Sequence, residues 1–324
     1  MKNSRRIILV SALCVILLVV YYRFGYPLRN TIESSTLLNS CLATQSISPH
    51  DVFFPSERKL SGRPYLNCRA SIVVDNETNE IIYSRNADTP RSVASITKLL
   101  SALVLCDMDF DWTKVIQVTR EDARNSARSH LKIGEKLYAS DLFYIALISS
   151  DNRAMRAIVR ECGVPLDEFI DLMNQKAREI GMYDSEFYEV TGLDEHNVST
   201  AEDCVRLLHT ALKQDLIKDA LTTYRYQYRS LNHKRRRNIV NTNRLLLSKW
   251  KIAGGKTGYI VESGYCLATR MSDSEGHDIT VVVLGAPFSG TRFSVTRKIS
   301  SWAFRNLSRF DSIADNQSVA VNKP

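Results

Sequence analysis

The chain lacks any Cys-x-x-Cys pair and any His-x-x-x-His pair. Its cysteines, Cys14, Cys41, Cys68, Cys106, Cys162, Cys204 and Cys266, are spaced too openly for a zinc ribbon, a thioredoxin-type dithiol or a small disulfide scaffold, and the histidines offer no metallopeptidase helix motif. No metal or other cofactor is expected. Disulfides among the six cysteines after Cys14 stay open, with buried free thiols the simpler reading for Cys106 and Cys204 in apolar helical patterns. Glycine (13) and proline (8) are few in 324 residues, while 44% are hydrophobic and 24% charged. A collagen-like or wholly disordered chain is thereby excluded, and a single long apolar run excludes a polytopic membrane protein.

Acid is missing from one long stretch. Between Ala220 and Val261 there is no Asp or Glu, yet ten positive residues occur: Arg225, Arg229, Lys234, Arg235, Arg236, Arg237, Arg244, Lys249, Lys251 and Lys256. The formal net charge of the chain is +8, so the remainder is slightly acidic. The stretch reads as a solvated basic hairpin, as a substrate-facing surface, or, with Tyr224, Tyr226 and Tyr228 interleaved, as a nucleic-acid patch.

Lys2, Arg5 and Arg6 precede an uncharged run from Ile7 to Tyr22, which has the form of an export signal. Small residues of the Ala-x-Ala kind do not follow it; Tyr21, Tyr22, Arg23 and Phe24 stand there instead. Residues 1–28 therefore read as an uncleaved anchor, with cleavage and release as the other outcome, and the remainder lies outside the cytoplasm by the positive-inside rule. Export argues against nucleic acid as a partner. Residues 29–68, with Ser, Thr and Pro and little periodicity, read as a tether, and Asp311–Pro324 as a polar tail.

Between them, residues 69–310 form one domain without internal repeat. Ala70–Val74 and Ile81–Tyr83 suggest a hairpin, and helices are expected over Ser95–Cys106, Asp141–Ile148, Asn152–Cys162, Leu166–Ile180 and Val205–Leu212. Ser140 is expected as an N-cap, Gly181 as a helix stop, and Thr200 with Asp203 as a capping box. Strands follow over Lys251–Tyr259, Gly264–Met271 and Asp278–Ala286, then a closing helix over Arg292–Asn306. That order predicts an α+β fold, an antiparallel sheet closed by the first and last segments and flanked by terminal helices, with a helical subdomain inserted.

Three short motifs carry chemistry. Ser95-Ile96-Thr97-Lys98 puts a hydroxyl and an ammonium on one helical face, so that a partly deprotonated Lys98 can take the Ser95 proton and the helix start can offer an N–H to an oxyanion. Ser150-Asp151-Asn152 lies between two helices and adds a second hydroxyl and a side-chain amide, or is simply a helix cap. Lys256-Thr257-Gly258 lies on a strand after Gly254 and Gly255, leaving the backbone open to approach while Lys256 supplies positive charge. Each is weak alone. In this order and in these contexts the set is that of penicillin-binding enzymes and serine β-lactamases.

With Ser129–Gly134, Met173-Asn174, Gly181-Met182, Thr191–Asp194, Ser199–Ala201, Asn241–Asn243 and Tyr259 added, the sequence resembles the low-molecular-mass penicillin-binding proteins of the D-alanyl-D-alanine carboxypeptidase family, peptidase family S11, from about Ala70 to Asn306. Ser149–Ala154 and Asn197–Thr200 look more like its D-alanyl-D-alanine endopeptidase (penicillin-binding protein 7) branch. The main carboxypeptidases carry a further C-terminal β domain and amphipathic anchor for which this sequence has no room, and Ile260 stands where many relatives have Thr. The resemblance implies a DD-peptidase/β-lactamase-like fold in an inner-membrane-anchored, periplasmic enzyme acting on peptidoglycan stem peptides and binding β-lactams. It further implies Ser95 as nucleophile, Lys98 as its base, and Ser150 with Asn152 for proton relay and orientation. Lys256 and Thr257 would hold the leaving carboxylate, and Gly258 and Tyr259 would line the substrate, with oxyanion donors at the N–H groups of Ser95 and Tyr259. A β-lactamase would need a deacylating Glu; Glu186, Glu189 and Glu195 are the candidates, and none has the expected setting. A catalytically dead cell-wall scaffold is the remaining alternative.

Overall fold

The computed structural model describes residues 57–321 except 59, 127–128 and 234–235, with side chains as far as 309. The expected anchor, most of the tether, Cys14 and Cys41 lie outside the described residues.

Runs that alternate around a buried plane form the sheet. Ala70–Asp75 (β1) and Ile81–Arg85 (β2) make the expected hairpin, with a register irregularity between Val73 and Val74. Arg91–Ser92 (β3) leads through the 3-10 turn Ala94–Thr97 into α1, Lys98–Asp107. Val115–Gln117 (β4) pairs with Lys136–Tyr138 (β5). Helices α2 (Ala139–Ile148), α3 (Asn152–Arg160) and α4 (Leu166–Glu179) follow. Val198–Ser199 (β6) pairs with β3, and Thr200 caps α5 (Ala201–Ala211) by accepting from the Asp203 N–H at 3.0 Å, as expected. Then come α6 (Asp215–Thr222), the hairpin Arg225–Arg229 (β7) and Arg236–Val240 (β8), and strands Lys251–Ile260 (β9), Gly264–Ser272 (β10) and Asp278–Ala286 (β11). The last element is α7, Ser289–Val321.

The sheet order is β2-β1-β11-β10-β9, and its pairs are antiparallel. First and last segments thus close the sheet around the helical insertion, an α+β architecture. Period-two alternation gives it two apolar faces. Ile72, Val74, Val282, Leu284 and Ala268 pack towards α1 to α6, whereas Val73, Val281, Val283, Leu267 and Met271 pack towards α7. β9 is an edge strand.

Three boundaries differ from the sequence expectations. Part of the expected tether is packed: Leu60, Leu66 and Cys68 are buried and Glu57 bridges Ile81. Isolated apolar residues among polar ones have no period to reveal them. Ser140 lies inside α2, whose cap is Tyr138. The closing helix continues to Val321, through the expected polar tail. All five cysteines of the described residues are free thiols, Cys204 being fully buried and Cys106 half-buried.

Candidate active site

Ser95 is held on the short turn before α1, not on the α-helix itself, and the residue before it, Ala94, takes a left-handed backbone (φ +48°). That conformation is strained for alanine and persists because its surroundings fix it. Two glycines do so. A Cβ on Gly192 would lie 1.9 Å from the Ala94 carbonyl oxygen, and one on Gly258 would lie 2.7 Å from the Val93 oxygen and 3.1 Å from the Ser95 nitrogen. The loop of Thr191 and the strand of Lys256 therefore press directly on the nucleophile's backbone, which brings the Ser95 N–H beside β9.

Lys98 opens α1 and is fully buried. Its Nζ donates to Ser95 Oγ at 2.9 Å, Asn152 Oδ1 at 2.5 Å and the Thr191 carbonyl at 2.6 Å. Burial pulls its pKa down from 10.5 to about 7; Glu189 and Asp151 oppose the shift and Arg156 assists it. A neutral amine has two N–H donors and one lone pair. With Asn152 and Thr191 as acceptors, the lone pair is left for the Ser95 hydroxyl, the geometry of a general base.

The second motif divides its labour. Asp151 is the helix cap: its Oδ1 accepts from Arg153 N at 3.0 Å and Ala154 N at 3.3 Å. It also clamps the preceding loop, through Ser129 Oγ at 2.9 and 2.7 Å and His130 N at 2.8 Å. Its neighbours are thereby freed for the cleft. Ser150 takes φ +60°, the second strained non-glycine residue at the site, and its Oγ accepts from Lys256 Nζ at 2.7 Å.

Lys256 is 1% exposed, and Nζ also reaches the Thr257 carbonyl at 3.0 Å. Burial, then Lys98, then Arg292 push its pKa well below the usual lysine range. Thr257 Oγ1 bonds Thr242 Oγ1 at 2.7 Å, so the Asn241–Asn243 segment aims the threonine. Gly255 is needed for packing, because a Cβ there would lie 2.7 Å from Asn243 Nδ2 and Thr269 Oγ1. Tyr259 is 47% exposed and stacks on Tyr265 at 4.1 Å.

The structure thus joins Ser95, Lys98 and Asn152 in one hydrogen-bonded group and Ser150, Lys256 and Thr257 in another, with Gly258 against the Ser95 amide. The sequence motifs did not expose the supporting residues. Buried Arg292 donates to the Gly258 carbonyl at 2.9 Å and fixes β9 from behind. Fully buried Asn197 accepts from Tyr188 N and Glu189 N and donates to Glu189 O, shaping the loop that carries Thr191. An arginine inside an otherwise apolar helix stripe, and an asparagine six residues after Thr191, were the available signals. Of the three candidate glutamates, Glu186 and Glu195 are exposed, and the Glu189 carboxylate is engaged by Leu193 N at 2.7 Å and Thr191 Oγ1 at 2.8 Å.

The sequence profile of the D-alanyl-D-alanine carboxypeptidase family matches residues 58–288. A D-alanyl-D-alanine endopeptidase from Pseudomonas aeruginosa is 32% identical over 242 residues, 72% of this chain and 76% of that protein. The fold matches the Streptomyces K15 DD-transpeptidase with a TM-score of 0.70 and 25% identity, covering 75% of this chain and 99% of that one. It also matches penicillin-binding protein D2 of Listeria monocytogenes in its cefotaxime-bound form, with a TM-score of 0.66, 25% identity and the same coverages.

Proposed function

Because the chain belongs to the D-alanyl-D-alanine carboxypeptidase family, peptidase S11, we propose that it is a serine-type D-Ala-D-Ala peptidase that remodels peptidoglycan through a Ser95 acyl-enzyme. The observation that carries this reading is the buried Lys98 amine, poised near neutrality at hydrogen-bond distance from Ser95 Oγ. Neutral Lys98 takes the hydroxyl proton as Oγ attacks the carbonyl of the penultimate D-Ala. The C–N bond then breaks, and the leaving amine takes a proton from Ser150, which is replaced by the proton that Lys98 took from Ser95, so that Lys98 is neutral again. Water hydrolyses the ester. Lys256 and Thr257 hold the terminal carboxylate, Asn152 orients the peptide, and the N–H groups of Ser95 and Tyr259 meet the oxyanion, each donor being worth about 100-fold to 1,000-fold in rate.

The free edge of β9 supports a substrate bound as an added strand. With the leaving carboxylate at Thr257 and the oxyanion at Tyr259, the peptide runs antiparallel to β9. Glu189, held by two donors of its own loop, is poorly placed to activate water. β-Lactam acyl-enzymes should therefore persist, and the protein is read as penicillin-binding rather than as a β-lactamase.

The endopeptidase branch is the favoured assignment, on the Ser149–Ala154 and Asn197–Thr200 segments and the P. aeruginosa relative. A cell-wall peptidase acts outside the cytoplasm. We place residues 57–321 in the periplasm, tethered to the inner membrane by residues 1–28; no helix among the described residues is long and apolar enough to cross a membrane. Incubation with a fluorescent penicillin is expected to give a stable covalent label that Ser95→Ala abolishes; rapid turnover without a trapped adduct would mark a β-lactamase. Sacculi and soluble pentapeptide digested side by side separate the cleavage types: conversion of cross-linked dimers to monomers supports the endopeptidase, and loss of one alanine alone overturns it.

A further inference from the structure

Just beyond Tyr259, where β9 turns into β10, the surface sinks into a hollow of about 450 Å³. Its walls come from the segment before β1, the end of β2, the β9–β10 turn and the end of β11, and they include Tyr65, Arg69, Arg85, Tyr259 and Val261 but no Asp or Glu. Both arginines are anchored through uncharged partners. Arg85 donates to the Leu66 carbonyl and lies over the Tyr65 ring, 5.6 Å from its centroid. Arg69 reaches the Glu262 carbonyl at 3.4 Å.

The Arg69 side chain is placed by a backbone device. Gly285 has φ +72°, and a Cβ there would lie 2.7 Å from Arg69 Cβ and Cγ. Only glycine lets the arginine stem lie flat on the end of β11, with its guanidinium turned to the hollow. Two positioned guanidinium groups, no carboxylate in the lining, and exposed aromatic rings at Tyr65 and Tyr259 make a site for an anionic group carried on a chain.

The chemistry at β9 says which chain. On the reading above, the substrate runs antiparallel to β9, its leaving carboxylate at Thr257 and its scissile carbonyl at Tyr259. Everything on the acyl side then passes Tyr259 towards Val261, advancing about 3.3 Å per residue. A side group two residues before the acyl D-Ala then stands level with Val261, at the rim of the hollow.

We propose that Arg69 and Arg85 form a subsite that binds a carboxylate on the acyl-side portion of the stem peptide, on the residue two before the acyl D-Ala. This rests on the assigned D-Ala-D-Ala activity and adds a charge requirement to it. The residues that hold the leaving group, Lys256 and Thr257, have no part in it.

The test pairs two synthetic D-Ala-D-Ala pentapeptides, one with a free carboxylate two residues before the acyl D-Ala and one with that group as carboxamide, on the full chain in detergent. The carboxylate peptide is expected to have a KM about tenfold lower at low salt, a preference that falls away as ionic strength rises past a few hundred millimolar. Arg69→Gln, which keeps a stem over Gly285, should bring the carboxylate peptide to the KM of the carboxamide, with penicillin labelling as the check that the site is folded. If Arg85→Gln fails to fold, Arg69→Gln and the peptide pair still decide. Equal KM values for the two peptides on the unaltered protein overturn the subsite alone. If penicillin labels the protein but neither peptide is cleaved, the assigned substrate fails and the subsite with it.

Discussion

The two edges of this sheet's packing are built on opposite principles. Where β9 meets the turn before α1, the protein buries Lys98 and Lys256, with Arg292 of the first turn of α7 behind them, and tolerates left-handed backbone at Ala94 and Ser150. Where the other face meets α7 from Val295 to Leu307, the buried side chains are apolar, with Thr296, Ser300 and Asn306 the exceptions and no charge among them. The first region is costly, since burying cations and holding non-glycine residues at positive φ both oppose folding. The second is ordinary close packing. Such a division lets reactive groups be held against their preference by a scaffold that does not depend on them.

The comparison is broken most severely at Lys98. Lys98→Met is expected to reduce penicillin acylation by about 1,000-fold, within the usual range for loss of a general base, measured by the rate of covalent labelling. In the unaltered protein that rate should fall about tenfold per pH unit below the Lys98 pKa of about 7. Stability also rises with pH, but over a higher range. Folded Lys98 binds its proton only below about 7, whereas the unfolded side chain does so below its ordinary 10.5. Between those values the unfolded state carries more protons, so stability rises with pH. Relative to Lys98→Met, the unaltered protein should therefore gain stability from pH 7 to 10.5 in denaturant titrations; a gain on acidification would mean that Lys98 is stabilised as a cation.

Next in size is the opposite change. Trp302 on α7 is 4% exposed, meets Tyr83 edge-on at 5.9 Å and donates Nε1–H to the Ser61 carbonyl at 3.1 Å. Trp302→Ala should cost about 3–5 kcal/mol of stability, seen as a lower Tm, while the acylation rate of the folded fraction is retained. A proportionate loss of acylation would show that the outer layer also sets the cleft geometry.

The sequence carried these two regions unequally. Period-two apolar runs gave β1, β10 and β11 nearly to the residue, and Thr200 with Asp203 gave a helix start, because such signals are local. The motif lysines and serines were legible as chemistry. What holds them was not: Gly192 matters only because the Ala94 carbonyl is 1.9 Å from where its Cβ would be, across nearly a hundred residues. The packing of Leu60 and Leu66 is hidden from the sequence for the same reason, since both are buried by partners far along the chain.

The smallest effect is expected at the basic hairpin, which the structure divides in two. Arg237 is no free surface cation: it pairs with fully buried Glu135 and donates to the His130 carbonyl at 2.8 Å. Removing it would strand a buried carboxylate and unsettle the loop that Asp151 clamps. Arg229 and Arg236 differ. They face each other across the β7–β8 ladder and are both exposed, an arrangement that a hairpin serving stability alone would avoid, since like charges directly opposite repel. Arg236→Glu turns the pair into an attractive one and should stabilise the protein by about 0.2–1 kcal/mol. The same change weakens the positive field on the side of the cleft reached through Asn241–Asn243. Turnover of sacculi at low salt should fall a few-fold, through KM and with loss of salt sensitivity. A gain in stability with unaltered KM would make the hairpin a solvated surface like any other.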